Sequence, residues 1–272
     1  MIAPVSAGNT AGFFARWRTY FAERFPPVQH GILIAAFCFG VQGHAAALDA
    51  AHWPLRLQTF LVAFATVFLL LLQLRILDEF KDYEEDCHWR PYRPVPRGLI
   101  SLPELRRLWM LAAVIQVGLA LALDFRLLAG VLAIWLYSAL VGVEFFARSW
   151  LKAHPLIYML SHIVIVPMMT LHVLACQRLE LLLPGVVTLL AASYFAFCVI
   201  EVGRKIRAPA DEEEGVETYS VLWGRTRALV AWLGFMVLAS ASAVLAASEL
   251  RSAPCLAGLL ALGQLLVVAG GA

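Results

Sequence analysis

Six carboxylates fall within the nine residues 78–86: Asp78, Glu79, Asp82, Glu84, Glu85 and Asp86, directly after a long apolar run. On a continuing helix Glu79, Asp82 and Asp86 stand at i, i+3 and i+7, which places all three on one face. Carboxylates held that close repel one another unless a cation lies between them. Magnesium suits such a cluster, because it is a hard ion that takes oxygen ligands, keeps several waters and bridges a few protein carboxylates to substrate phosphates. Acidic residues at the C-terminal end of a helix also oppose its macrodipole, so their accumulation there costs stability and asks for a purpose.

The next segment, residues 87–101, alternates Arg90, Arg93 and Arg97 with Pro91, Pro94 and Pro96. So many prolines exclude a regular helix. The planar guanidinium fork matches phosphate oxygens, so metal-binding carboxylates followed by arginines make a diphosphate cradle. A basic anchor for lipid headgroups is the simpler alternative. The pattern recurs after a later apolar stretch, where Glu201, Arg204, Lys205 and Arg207 precede Asp211, Glu212, Glu213, Glu214 and Glu217. Most of these last acids read as a solvated loop. Within another apolar stretch His154, Tyr158 and His162 are spaced by four and line one helical face, where they could hold an aromatic or quinone-like acceptor, deprotonate it, or bond neighbouring helices. Ionisable groups in such places default to functional candidates.

The elements that position these groups belong to a membrane. Of 272 residues 61% are hydrophobic and 15% charged, far from the roughly 25% charged of soluble domains. Eight stretches approach the about 20 apolar residues needed to span a bilayer: 31–49, 57–77, 106–123, 127–147, 155–175, 181–200, 226–247 and 254–270. The expected fold is an all-α, polytopic transmembrane bundle over residues 31–272. Residues 1–30 precede it as an interfacial segment, with Phe13, Phe14, Trp17, Tyr20, Phe21 and Phe25 at helical spacing among Arg16, Arg18 and Arg24. No secretory signal pattern opens the chain. With the N-terminus inside, 17 of the 21 Lys and Arg fall on the cytoplasmic face together with both acidic loops, as positive-inside orientation demands. A bacterial inner membrane is the expected setting. The net charge of +2 suggests no nucleic-acid partner, and five scattered cysteines indicate neither zinc nor a disulfide framework.

The chain resembles the UbiA-type superfamily of intramembrane prenyltransferases. That family carries an N-D-x-x-D-x-x-x-D motif at the cytoplasmic end of its second span, followed by an Arg-Pro-rich segment ending in Gly. Here Asp78 stands at the Asn position, Glu79 at the first Asp, and Asp82 and Asp86 at the others. The continuation from Arg90-Pro91 to Arg97-Gly98 matches. A second family motif, commonly D-x-x-x-D leading into G-x-x-T and a further Gly, is met by Asp211, Gly215, Thr218 and Gly224, with Arg207 standing where an earlier Asp is often found and Glu201 a possible substitute. Tyr137 and Lys152 resemble a Tyr in the family's fourth span and a basic residue beyond it.

The resemblance implies an enzyme that moves a prenyl group from an isoprenoid diphosphate to a lipophilic aromatic, quinone-precursor or lipid acceptor. Mg2+ would be held by Glu79, Asp82, Asp86 and Asp211, with Asp78 and Glu201 beside them. Arg90, Arg93, Arg97, Arg204, Lys205, Arg207 and Lys152 would receive the diphosphate, and Tyr137, Tyr158 and His162 would line the substrate site. Phosphoribosyl transfer to a polyprenyl phosphate, within the same superfamily, is an alternative. An ion or metal transporter is another, although transporters place coupling charges near the bilayer midplane. The family's nine spans exceed the eight read here, so a ninth is expected either beyond them or within a segment that is really two.

Overall fold

The computed structural model describes residues 12–48, 56–178 and 184–250, and these contain helices and loops with no strand. Helix α1 is Phe13–Arg24, α2 Pro27–Leu48, α3 Leu57–Lys81, α4 Tyr83–Trp89, α5 Leu102–Leu123 and α6 Leu127–Gly142. After a 3-10 turn at Glu144–Phe146 come α7 Arg148–Ala153, α8 Pro155–Ile163, α9 Ile165–Cys176, α10 Pro184–Gly203, α11 Tyr219–Trp223 and α12 Arg225–Ser248. Among the described residues six helical segments are long and apolar enough to cross a membrane, α8 and α9 together forming one of them, and α6 is a shorter apolar helix. The expected span 254–270 lies outside the described residues.

The departures from expectation have local causes. The fifth span is broken between α8 and α9, because Pro167 lacks an N–H and its ring crowds the carbonyl of Ile163, four residues back. Helix α5 begins earlier than the apolar run. Pro103 sits in its first turn, and Glu104 reaches back to accept hydrogen bonds from the Ser101 amide at 2.8 Å and its hydroxyl at 2.7 Å. The fourth span stops at Gly142 instead of 147, because Glu144, Phe145 and Phe146 are all left-handed (φ +50°, +52° and +57°). Three such non-glycine residues in a row cost about 1–2 kcal/mol each. The acidic run is not one straight helix either. Asp82 joins α3 to α4 with φ −96° and ψ 7°, although helical bonds continue from Asp82 N to Asp78 O and from Asp86 N to Asp82 O.

Helix α3 is central to the first half of the bundle, packing on α2, α5, α6 and α9, while α10 packs on α12, α9 and α8. Ile34, Leu70, Ile134, Val173 and Leu174 lie in the main core. Buried amides cross-link it: the Trp135 indole N–H donates to Gln73 and Gln116, and Gln116 in turn donates to the Thr66 carbonyl at 3.2 Å. Polar cross-links of this kind hold helices together where lipid offers no hydrophobic drive. Many large side chains, such as Leu121, Leu136, Val187 and Val237, face outward, as a bilayer solvent permits. A second, smaller core seats α1: Tyr20 and Phe25 pack with Leu72, Ile76, Val95, Ile100 and Leu105 at the end of the bundle where the acidic run emerges.

Candidate active site

Contacts gather four segments at that end: α1, the loop from Asp82 to Ser101, the turn and short helix around Glu144–Ala153, and the loop from Arg204 to Gly224. Helix α1 is joined to the end of α3 by Arg24 to Glu79 at 2.6 Å and to the loop that follows by Glu23 to Arg97 at 2.7 Å. Lys152 donates to Glu85 at 2.7 Å, with Arg148 3.4 Å from the same carboxylate, which brings α7 to the acidic run. The two polar loops meet where the Tyr92 hydroxyl donates to Glu213 at 2.9 Å and where the Trp89 indole covers Gly215. Gly215 has φ +73°, and a Cβ there would collide with the ring.

The carboxylates of the first loop differ in their company. Asp86 is buried and takes both Arg93 (2.6 and 2.9 Å) and Arg90 (3.3 Å). Glu79 is buried between Arg24 and Arg75, the latter at 3.2 Å, and Asp78 lies 3.7 Å from Arg75. Asp82 is half-buried and has no ion pair or side-chain hydrogen bond among the described residues. Burial pushes its carboxyl above the ordinary aspartate range, and Asp78, Asp86 and Glu85 add to this against the pull of Lys81. Among the described acids of this run Asp82 thus lies among like charges without an ion pair, where an added cation would be favoured.

The second loop is arranged otherwise than expected. Glu201 is neutralised by Arg204 at 2.5 Å and Lys205 at 3.1 Å. Arg207 pairs with Glu213 at 2.9 Å and donates to the Asp211 carbonyl. The Asp211 side chain is exposed on the Pro209–Asp211 turn. Thr218 caps α11, accepting from the Val221 amide and donating to Glu212 at 2.7 Å, so the matched Thr organises the loop. Among the described residues no three acidic, His or Cys side chains are gathered as a metal cluster. The expected set of Asp78, Glu79, Asp82, Asp86, Asp211 and Glu201 is therefore not assembled by these contacts. The arginines and Lys205 claim Glu79 and Glu201, and Asp211 faces solvent.

The histidine stripe also divides. His154 is exposed and stacks on Trp150, whereas Tyr158 and His162 stack on each other at 4.0 Å, and the His162 Nε2 is buried with no partner among the described residues. Tyr137 donates to the Ser161 carbonyl and packs edge-on against Phe145. The residues that sequence reasoning passed over are Lys81 and Glu144. Lys81 donates to the Tyr158 hydroxyl at 2.5 Å and lies 3.7 Å from the buried Glu144, which Arg148 also reaches at 3.2 Å. The signal was present, since Glu144 is a lone acid in the apolar run 139–147. Beside this group a cleft of about 510 Å³ is lined by Phe80, Lys81, Glu84, Glu85, Arg148 and Lys152 among others.

Comparison with known proteins places this geometry. The sequence profile of the UbiA prenyltransferase family matches residues 33–270. The chain belongs to the UbiA prenyltransferase family. It is accordingly a membrane-embedded prenyl-transferring enzyme, and the transporter reading has no support. The chain is similar to the digeranylgeranylglyceryl phosphate synthase of Thermococcus kodakarensis, with 30% identity over 213 residues that cover 77% of this chain and 71% of that protein. A solved structure described as a digeranylgeranylglyceryl phosphate synthase in membranes shares the fold, with a TM-score of 0.59 at 18% identity over 93% of this chain and 86% of the other.

Proposed function

We propose that this UbiA-family enzyme transfers a prenyl group from an isoprenoid diphosphate to a lipid acceptor bearing a hydroxyl, with its donor site at the first polar loop. The observation that carries the reading is the Asp82 carboxylate, without an ion pair among the described residues, one helical turn before Asp86, on which the Arg90 and Arg93 guanidinium groups gather. Asp82, with Asp78 near it, would hold magnesium, and Asp211 is the candidate from the second loop. When bound, the ion neutralises the diphosphate and offsets charge developing on the leaving group. Asp86 orients Arg90 and Arg93 together, so both are poised to donate to anionic oxygens without reorganising during the reaction. Lys152 and Arg148 add positive charge from α7 on the cleft side. The isoprenoid tail would lie among the apolar side chains of the bundle, where binding grows with buried area.

The lipid acceptor is supported by the relative from Thermococcus kodakarensis, whose name describes a product carrying two prenyl-derived chains on a glyceryl phosphate. Tyr158 and His162 remain the candidates for the acceptor side. In the proposed site Asp82→Ala removes the unpaired carboxylate, so it should abolish magnesium-dependent binding of a prenyl diphosphate while the protein stays folded by thermal unfolding in detergent. Retained binding would refute the site. Incubating purified protein with labelled geranylgeranyl diphosphate and a membrane lipid extract, then identifying the labelled product, tests the acceptor. A labelled aromatic product would overturn the lipid assignment.

A further inference from the structure

We infer that Glu79 is the seat of a clamp and not a metal ligand, and that Arg24 of α1 is a positioning residue through which the surface helix fixes the acidic turn. The identity of what is positioned rests on the function proposed above. A single Glu79 oxygen, Oε1, accepts from Arg24 Nε at 2.6 Å and from Arg75 Nη2 at 3.2 Å, and the Glu79 side chain is only 1% exposed. A divalent cation brought to that carboxylate would meet two guanidinium charges at contact range in a poorly hydrated place, where their repulsion is least screened.

Asp86 offers the contrast. Its two arginines come from the segment that follows it, so they bind that segment to itself. Arg24 comes from a separate helix, so its hold on Glu79 fastens α1 to the end of α3. That helix is anchored on the other flank of the same loop. Arg16 Nη2 donates to both Glu104 oxygens at 2.8 and 2.9 Å while its Nε donates to the Leu99 carbonyl, and Glu23 takes Arg97 at 2.7 and 3.1 Å. Tyr20 and Phe25 are buried between these anchors. Helix α1 therefore ties the acidic turn at Glu79 to the end of the Arg-Pro segment at Arg97 and Leu99, and Asp82 stands three residues beyond the first tie. The glutamate also matters for its length, since its extra methylene carries the carboxylate from α3 to the Arg24 guanidinium.

The full chain in lipid nanodiscs, with Mn2+ and inorganic diphosphate as probes, tests the clamp by two readouts. In metal-free protein, Arg24→Gln and Glu79→Asp should each speed amide exchange over residues 78–90 by about tenfold, because a local opening loses its tie. Both should also weaken Mn2+-dependent diphosphate binding by about tenfold, as loss of a ligand-orienting partner does. The double variant should be no weaker than either single one, because both remove the same tie. A ligand at 79 predicts the reverse: Glu79→Asp keeps binding, Glu79→Gln abolishes it and Arg24→Gln changes nothing. That pattern, or unchanged exchange in Arg24→Gln, overturns the inference. If the unaltered protein binds no Mn2+ with diphosphate, the proposed donor site fails and the exchange measurement alone decides the clamp.

Discussion

Glu144 occupies a backbone conformation that its residue type disfavours, and the contacts around it explain why it persists. Its buried carboxylate faces Lys81 and Arg148, and the next residue, Phe145, is packed between Tyr137 and His162. Strained residues held this firmly collect at functional sites, and this one braces Lys81 against Tyr158. Removing one partner of a buried pair strands the other charge, so Glu144→Ala should lower stability by about 3 kcal/mol in detergent unfolding. Lys81→Ala should cost less, because Arg148 still neutralises Glu144. Their double variant should fall short of the summed losses, and strict additivity would show that the two do not act as a unit.

Among elements, the short ones place the chemistry and the long ones were the easier to foresee. Apolar length marks α2, α3, α5, α10 and α12 directly, because twenty consecutive apolar residues leave few alternatives. The acidic and basic residues of the first loop were equally legible as a charged cluster, yet their pairing was not. Whether Glu79 meets a cation or Arg24 depends on where α1 docks, and nothing in residues 78–86 encodes that. The left-handed turn at 144–146 was likewise hidden, since Phe145 and Phe146 read as a continuing span. Gly215 is a case where the matched motif had a physical cause awaiting discovery. It lets the backbone turn left-handed beneath Trp89, and so lets the two loops touch. Gly215→Ala should force them apart, at about 1–2 kcal/mol for the backbone alone before the ring clash is counted. Faster amide exchange in both 87–93 and 211–218 would report the separation, whereas a change confined to the second loop would mean that the Trp89 contact does not join them.

For the whole molecule, the contacts that collect α1, both polar loops and α7 at one end agree with the charge count along the chain, since 17 of the 21 Lys and Arg lie in those segments and their flanks. At the other end the described ion pair is Arg178 with Asp124, at 3.4 Å. Such asymmetry sets orientation during insertion, which leads to the proposal that the site opens to the cytoplasm. Cys87 is exposed within the first loop, whereas Cys38, Cys176 and Cys198 are buried. A variant keeping Cys87 as its sole cysteine should therefore resist a membrane-impermeant maleimide in right-side-out vesicles and react fully in inverted ones. Labelling in right-side-out vesicles would reverse the assigned orientation and put the diphosphate site on the far side of the bilayer from a cytoplasmic supply. Magnesium with inorganic diphosphate should slow the labelling in inverted vesicles, since Cys87 directly follows Asp86, the residue that holds Arg90 and Arg93 in place.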